Sequence, residues 1–212
     1  MAELLSSNKN GIEPSDDICL RLRQDTSAEH NKIESLMSTF LFSKHFKLTD
    51  YFNMLQIKRD YYAAVESQVS QFPTMLQMVN NSEKTKWLDA DLAYVQNNYE
   101  VRQTTPTLDI SCITLLPQTP AEAMGFIYVF EGATLGGMHI IPKLRVHGYF
   151  PQDQGLRFFA SYGKNTPARW RRFQTELRAF AHFTPSASEE IIKGAKASFS
   201  NMYMLLKDIC HA

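Results

Sequence analysis

The sequence has no excess of charge of either sign, because its 22 Lys and Arg residues balance its 22 Asp and Glu residues. A protein that binds nucleic acid mainly through phosphate contacts needs a basic excess, which makes nucleic acid an unsuitable main partner. Hydrophobic residues account for 44% and charged residues for 21% of the chain, a composition typical of a globular protein. At 212 residues, the chain is long enough to bury a core without disulfides or a structural metal.

Cysteine is scarce, and long apolar runs are missing. Cys19, Cys112 and Cys210 are far apart and form neither a CxxC pair nor a zinc-binding spacing. Scattered thiols are typical of a reducing compartment, so we expect a cytoplasmic protein whose cysteines are packing residues. No apolar run approaches the ~20 residues of a membrane-spanning helix, and the N-terminus lacks a cationic start followed by an apolar stretch. Neither a membrane anchor nor a signal peptide is therefore expected.

Alternating strand patterns and internal repeats are also missing, whereas apolar residues recur at helical spacing along most of the chain. Residues 1–14 show little periodicity and are interpreted as a flexible N-terminal arm. Residues 15–212 are predicted to form one all-α domain, a multi-helix bundle of about seven helices. The predicted helices run from Ile18 to about Phe40, from Thr49 to a point before Pro73, from Ser82 to about Tyr99, from Thr119 to near Pro142, from Pro151 to Gly163, from Thr166 to about Phe183 and from Thr184 towards the C-terminus.

His30 places an imidazole in an otherwise apolar helical stripe. A neutral imidazole is a good iron ligand, and haem proteins use a histidine as the fifth ligand. Glu34, one turn later, is placed to accept the second ring N–H, and Arg23, two turns earlier, lies within reach of a haem propionate. The alternative is a core histidine that is hydrogen-bonded to a neighbouring group. The residues that share the face of His30 at helical spacing are Leu22, Thr26, Ile33 and Met37.

Three glycines interrupt the apolar helix that begins at Thr119. Gly132, Gly136 and Gly137 each cost roughly 1 kcal/mol in a helix interior relative to alanine. Gly132 and Gly136 are four residues apart and share a face, so the backbone there can approach a flat ligand closely or kink. Tight helix–helix packing and a plain helix break are the alternatives, and the residues alone do not choose among them.

These two features resemble the proximal and distal helices of the haem oxygenase family, in particular of its bacterial members. The proximal match is Leu22-Arg23-x-x-Thr26-x-x-x-His30-x-x-x-Glu34, and the distal match is Gly125-Phe126-Ile127-Tyr128-Val129-Phe130-Glu131-Gly132-Ala133-Thr134-Leu135-Gly136-Gly137. Further matches are Trp87-Leu88-x-x-Asp91-Leu92, Tyr162-Gly163 followed by Arg169-Trp170-x-x-Phe173, and Thr184-Pro185 followed by Ala195-Lys196-Ala197-x-Phe199. The resemblance covers residues 18–209, nearly the whole chain.

The resemblance implies an oxidoreductase that cleaves haem to biliverdin, CO and ferrous iron, with haem serving as both cofactor and substrate. His30 would be the proximal iron ligand and Glu34 its hydrogen-bonding partner. Gly132 and Gly136, with Gly137 beside them, would cover the distal face where the reaction takes place. The basic residues implied as propionate partners are Arg23, which matches a basic position of the family, and a cluster in which Arg171 and Arg172 are foremost and Arg169 and Arg178 are included.

Two residues complicate the resemblance. Ala133 stands where the better-known animal members carry an aspartate that orders water, so water would have to be held by the backbone and other side chains. His139 would share the face of Gly132 and Gly136 on a regular helix and compete for iron, unless a kink turns it away. The remaining histidines are predicted at the surface: His45, His147, His182 and His211.

The sequence contains no Gly-x-Gly-x-x-Gly fingerprint and no cysteine cluster, so the electrons must come from an external reductase or ferredoxin. Two other functions stay open. A haem carrier or sensor on the same fold is favoured by Ala133 and His139, since a second histidine ligand would block O₂. A helical partner-binding module without haem requires His30 to be a core residue and the glycines to serve packing.

Overall fold

Helices form nearly all of the regular structure in the computed structural model, which describes residues 17–75, 83–101, 113, 115–184 and 186–210. These residues contain no strand, so the predicted all-α class is confirmed. The predicted N-terminal arm, Cys112 and His211 lie outside the described residues. The helices are α1 (Ile18–Asp25), α2 (Ser27–Leu41), α3 (Leu48–Val69), α4 (Lys84–Asn98), α5 (Pro120–Gly132), α6 (Gly137–Leu144), α7 (Arg157–Ala160), α8 (Thr166–Phe183) and α9 (Ala187–Cys210), with 3₁₀ turns at Pro73–Met75, Ala133–Gly136, Arg145–His147, Pro151–Asp153 and Gly163–Asn165.

The first predicted helix is in fact two helices that meet at Thr26. Thr26 has φ −108° and ψ 6°, and its hydroxyl donates to the carbonyl oxygen of Leu22 at 2.6 Å. A hydroxyl that donates to the carbonyl oxygen of the preceding turn tends to bend a helix. The apolar periodicity continues through this bend, so the sequence pattern predicted a single helix. The bend sets the angle between α1, which carries Arg23, and α2, which carries His30.

The centre of the bundle is the crossing of α5 and α9, and α1, α2, α3 and α8 pack around this pair. A Cβ atom added to Gly125 would lie 2.0 Å from the carbonyl oxygen of Ile191, and one added to Gly194 would lie 2.2 Å from that of Glu122. Glycine is required because the two helix backbones touch. The predicted buried stripe of α9 is confirmed and consists of Ile191, Ile192, Ala195, Phe199, Met202 and Leu206.

The start and the end of α5 both follow from its sequence. The Thr119 hydroxyl accepts from the amide of Glu122 at 3.1 Å, and the Glu122 carboxylate accepts from the amide of Gln118 at 2.8 Å. These reciprocal bonds satisfy donors that a helix N-terminus leaves open. The helix ends at Gly132, continues as a 3₁₀ turn over Ala133–Gly136 and resumes as α6. The predicted interruption of the distal helix at its glycines is therefore confirmed.

Gly137 and α7 together fix the direction of α6. A Cβ on Gly137 would lie 1.8 Å from the carbonyl oxygen of Phe159, so α6 rests directly on the α7 backbone. The Asp91 carboxylate caps α7 by accepting from the amides of Arg157 at 2.6 Å and Phe158 at 2.8 Å. Burial raises the pKa of Asp91 to about 6, although these hydrogen bonds and the Arg157 charge oppose the shift. Helix α4 thus positions α7, and α7 positions α6.

The stretch Pro120–His147 is long and apolar enough to cross a membrane on length and composition alone. The sequence pattern had predicted no membrane-spanning run. The core helix of a soluble protein passes the same test, and α5 is the core helix of this bundle. The second half of the stretch exposes Met138 and Val146, so packing in the core accounts for only part of its apolar character.

Candidate functional site

His30 lines a cleft of about 330 Å³ between α2, α5 and α9. Its side chain is 56% exposed, which contradicts the alternative of a core histidine satisfied by its neighbours. The ring stands edge-on to Phe199 at 5.8 Å between centroids, and its Nδ1 lies 3.5 Å from Glu34 Oε2, at the outer limit of a hydrogen bond. None of the described residues hydrogen-bonds Nε2, which leaves this nitrogen available to a metal. The cleft is also lined by Arg23, Thr26, Ser27, Asn31 and Tyr128.

The α5 wall of this cleft carries Tyr128, and the first glycine of the cluster lies one turn further along the same helix. Gly132 follows Tyr128 by four residues and shares its face, and Gly136 lies one 3₁₀ turn further. A Cβ on Gly132 would meet only the ring of Trp170, at 3.8 Å, and one on Gly136 only the tip of Ile140, at 3.4 Å. No backbone atom of a packed neighbour stands before either glycine. Neither glycine is therefore required for contact between helix backbones.

Gly137 does not belong to that face. We expected it beside Gly132 and Gly136, but its hydrogens point at the carbonyl oxygen of Phe159, and a Cβ would collide there at 1.8 Å. The physical reason is that neighbouring residues of a helix point about 100° apart around its axis, so Gly137 faces a different side from Gly136. The sequence offered ligand contact and packing as alternatives for all three glycines, and the structure assigns Gly137 to packing.

The histidines other than His30 lie away from the cleft or outside the described residues. His139 is exposed on α6 and is not among the residues that line the His30 cleft. His147, predicted at the surface, is half-buried: its ring stacks on Phe46 at 4.0 Å, and its Nε2 lies 2.9 Å from the carbonyl oxygen of Leu41. His45 and His182 are exposed, as predicted.

Helices α1 and α8 run antiparallel along one side of the cleft. Arg178 Nε donates to Asp17 Oδ2 at 2.8 Å, and two residues further along α1 the Cys19 Sγ lies 3.9 Å from the carbonyl oxygen of Gln174. Arg178, one of the arginines expected to bind a propionate, is thereby engaged in an ion pair with Asp17. The register places the next turn of α1 opposite the turn of α8 that precedes Gln174.

Arg23 and Arg171 occupy those two turns. Arg23 lines the His30 cleft, and Arg171 is exposed on the side of α8 that faces α1. Arg172 lies elsewhere, because it lines a second cleft that shares no residue with the first. The structure therefore brings Arg23 to His30 and separates Arg172 from the site, while the register puts Arg171 on the α1 side of α8.

A buried ion pair adjoins the glycine face and was not foreseen from the sequence. Lys84, 2% exposed, pairs with Glu131, the residue before Gly132. The Tyr162 hydroxyl donates to Glu131 Oε1 at 3.2 Å, and burial raises the pKa of Tyr162. The three side chains come from distant parts of the chain, so the one available signal was an acidic residue in an otherwise apolar helix.

Comparisons with known proteins agree with this architecture. The chain matches the family model described as Heme oxygenase over residues 16–208. It is similar in structure to the NO- and CO-bound heme oxygenase from Neisseria meningitidis, with a TM-score of 0.67, 22% sequence identity and coverage of 92% of this chain and 93% of that chain. At this identity the structural likeness establishes the shared fold, and no match is found among curated proteins. The family match includes both the His30 helix and the glycine segment, and the protein is therefore a member of the haem oxygenase family.

Proposed function

We propose that this protein is a haem oxygenase that binds haem between α2 and the glycine face of α5. It converts haem to biliverdin, CO and ferrous iron with O₂ and external electrons. The observation that carries the proposal is a half-exposed His30 whose Nε2 has no partner among the described residues, in a cleft whose α5 wall carries Tyr128, one helical turn before Gly132. Membership of the family makes oxidation of haem the expected chemistry.

The residues of the cleft fit a haem. One imidazole is present for the iron, and a planar ring system needs a wall without side chains, which Gly132 provides. Beside this wall, Leu135 and Met138 are 40% and 79% exposed. Exposed apolar side chains next to a cleft indicate a surface that a ligand covers. Arg23 at the same cleft offers a guanidinium to a propionate.

Each of these residues has its own task in the proposal. Bound haem supplies both the iron that activates O₂ and the ring that is oxidised. His30 binds the iron through Nε2, and Glu34, next to Nδ1, keeps the imidazole in the tautomer that this requires. The backbone at Gly132 excludes bulk water and leaves space for a small ligand only. Arg23 and Arg171 orient the ring by pairing with its propionates.

Proton delivery at the glycine face falls to water held by the backbone. Ala133 carries no acid, and the carboxylate of Glu131 is already bonded to Lys84 and Tyr162. The carbonyl oxygen of Glu131 accepts from the Thr134 hydroxyl at 2.6 Å, so the 3₁₀ turn is fixed by its own side chains. A rigid turn holds its carbonyl groups in place for water, which offsets the missing aspartate.

Electrons reach the site from a separate reductase or ferredoxin. The described residues contain no cluster of metal-ligating side chains, and the sequence contains no nucleotide-binding fingerprint. Cys19 and Cys210 are buried free thiols, which is the state expected in a reducing compartment. A cytoplasmic location and an external donor are therefore parts of the proposal.

A haem carrier or sensor is the second candidate, and Ala133 is the observation that favours it. Without an acidic side chain at this position, a bound haem would persist if backbone-held water did not deliver protons. His139 gives this candidate less support than the sequence suggested, because it is exposed and lies outside the lining of the His30 cleft.

The two candidates are distinguished by adding haemin to the purified full chain and recording absorption spectra after ascorbate is added in air. Catalase is included so that free peroxide does not degrade the haem. Loss of the Soret band with a matching rise of biliverdin absorbance, and CO captured by added deoxymyoglobin, is the result expected of an oxygenase. A six-coordinate haem that stays unbleached would contradict the oxygenase proposal and support the carrier.

A further inference from the structure

A second cleft, of about 670 Å³, lies at the N-terminal end of α8. Three arginines line it, namely Arg157, Arg169 and Arg172, and Glu83 is the one acidic residue in its lining. The chain has ten arginines, and five of them fall within residues 157–178, so the positive charge of an otherwise neutral protein is concentrated here. None of the residues lining this cleft also lines the His30 cleft.

Two of the three guanidinium groups are held against an aromatic pair. The Arg157 Cζ lies 4.7 Å from the centre of the Trp87 ring, and the Arg169 Cζ lies 4.3 Å from that of Tyr162. The two rings are themselves in edge-to-face contact, 4.9 Å apart. Stacking on a ring fixes the plane of a guanidinium and limits its rotamers. Two cations are thus positioned close together before any ligand arrives.

The charges of Arg157 and Arg169 are not neutralised by ion pairs among the described residues. Among the described residues, no carboxylate forms an ion pair with Arg157 or Arg169, whereas Arg172 Nε donates to Glu176 at 2.8 Å. The Asp91 carboxylate interacts electrostatically with Arg157, but its oxygens accept from backbone amides of α7 and form no ion pair with the guanidinium. Two guanidiniums without an ion-pair partner favour the binding of an outside anion.

The loop that forms one wall of the cleft is strained and firmly held. Ser161 is buried with φ 50° and ψ −126°, a conformation that a residue with a side chain rarely adopts. Its carbonyl oxygen accepts from Arg157, and its hydroxyl donates to the carbonyl oxygen of Phe158 at 2.8 Å. Strain of this kind persists only where surrounding contacts enforce it, and it is common at ligand sites.

We propose that this cleft binds a small polyanion, whose carboxylate or phosphate groups pair with Arg157 and Arg169. A guanidinium presents parallel N–H groups that match two oxygens of either group. The site is separate from the proposed haem site and does not depend on it.

Fluorescence of Trp87 tests the proposal, because its ring carries the Arg157 guanidinium. The chain has two tryptophans, so a Trp170→Phe background leaves Trp87 as the single reporter. The haem-free full chain is titrated with citrate and with inorganic phosphate, while sodium chloride keeps the ionic strength constant. We expect a saturable change, and the probe that binds more tightly identifies the preferred group, polycarboxylate or phosphate.

Arginine variants in the same background decide whether the cleft is responsible. Arg169→Gln and Arg157→Gln are each expected to weaken binding roughly tenfold or more, as loss of a charged hydrogen-bonding partner does. Lys164→Gln is the matched control, because Lys164 is exposed in the same loop but does not line the cleft. Circular dichroism confirms that each variant is folded. A response that does not saturate, or an equal loss in Lys164→Gln, would overturn the proposal.

Discussion

Two groups of glycines in this protein differ in the atoms that an added Cβ would meet. At Gly125, Gly137 and Gly194, an added Cβ would lie 1.8–2.2 Å from a carbonyl oxygen of another helix. At Gly132 and Gly136, the nearest atoms belong to side chains, at 3.8 Å and 3.4 Å. The first group lets helix backbones touch, and the second leaves a helix face open.

Every glycine in a helix costs about 1 kcal/mol in helix propensity relative to alanine. In the first group the close approach of two backbones offsets this cost by dispersion and burial. In the second group no contact between helix backbones offsets it, because a Cβ would meet only the side chains of Trp170 and Ile140. Where a local rule is broken without a backbone contact in return, contact with haem is the proposed gain.

Gly137→Ala is expected to have the largest effect on stability. The new Cβ collides with the Phe159 carbonyl group, which is backbone and has no rotamer to escape to, so α6 and α7 must separate. We expect a loss of about 3 kcal/mol in the free energy of unfolding. For a chain of this size, that lowers Tm by about 6–12 °C in a thermal melt.

The matched control for Gly137→Ala is Gly136→Ala, one residue earlier. Its Cβ meets only the flexible tip of Ile140, so we expect Tm to remain close to that of the wild type. Equal losses of Tm in the two variants would break the distinction between packing glycines and open ones.

Gly132→Ala is expected to preserve the fold and impair the reaction. The Cβ makes an ordinary contact with Trp170 at 3.8 Å, and alanine favours the helix, so the free energy of unfolding should stay equal or rise by about 1 kcal/mol. The methyl group narrows the face proposed to cover haem, and we expect ascorbate-driven haem breakdown to slow about tenfold. Unchanged turnover at unchanged stability would show that this face does not contact haem.

Lys58 is one of the charged residues buried in the packed interior. It is 7% exposed on α3, and its Nζ lies 3.8 Å from Met202 Sδ and 5.6 Å from the centre of the Phe158 ring. Burial lowers the pKa of Lys58 from 10.5 to about 8. The folded-state pKa of Lys58 is below that of the unfolded chain. The contribution of Lys58 to the free energy of unfolding is therefore highest above pH 10.5, falls as the pH drops towards 8 and is constant below pH 8.

Lys58→Met removes this buried charge and keeps the volume of the side chain. We expect the free energy of unfolding at neutral pH to rise by about 2 kcal/mol, and its rise between about pH 8 and pH 10 to disappear. Urea unfolding over this pH range measures both. The exposed Lys86→Met is the control and should change neither. Destabilisation by Lys58→Met at every pH would mean that the ammonium group is stabilised in the core.

The smallest expected effect compares two neighbouring arginines. The helical register puts Arg171 on the α1 side of α8, whereas Arg172 lines the second cleft. We expect Arg171→Gln to weaken haem binding about fivefold, the value of one exposed charge-assisted hydrogen bond near 1 kcal/mol, and Arg172→Gln to leave it unchanged. A haemin titration followed at the Soret band checks this, and a larger loss in Arg172→Gln would reverse the assignment.

The sequence predicted those features that depend on local chemistry. Thr119 marked the start of α5, and the spacing of apolar residues marked the buried stripe of α9. Features that depend on distant contacts were missed or misassigned. The bend at Thr26 arises from one hydroxyl, the packing role of Gly137 depends on Phe159, and the side of α8 that Arg172 occupies depends on where α1 packs.

The candidate site shows the same division. His30 was identified because an imidazole on an apolar stripe is unusual, and the structure places it at a cleft. The Lys84–Glu131 pair joins residues 47 positions apart, and periodicity carries no information about such a pair. The second cleft depends on Trp87 and Tyr162 meeting through the tertiary fold, so its arginines could be counted from the sequence but not located.

The most direct test of the central claim is the haem affinity and Soret spectrum of His30→Ala, measured with and without added imidazole. Because the His30 side chain is 56% exposed, the free energy of unfolding of the variant should lie within about 0.5 kcal/mol of the wild-type value. A change in haem binding would then not result from a folding defect. If His30 is the iron ligand, we expect weaker haem binding, an altered Soret band and recovery of the wild-type spectrum when imidazole enters the cleft. Wild-type affinity and an unchanged Soret band in His30→Ala would contradict it.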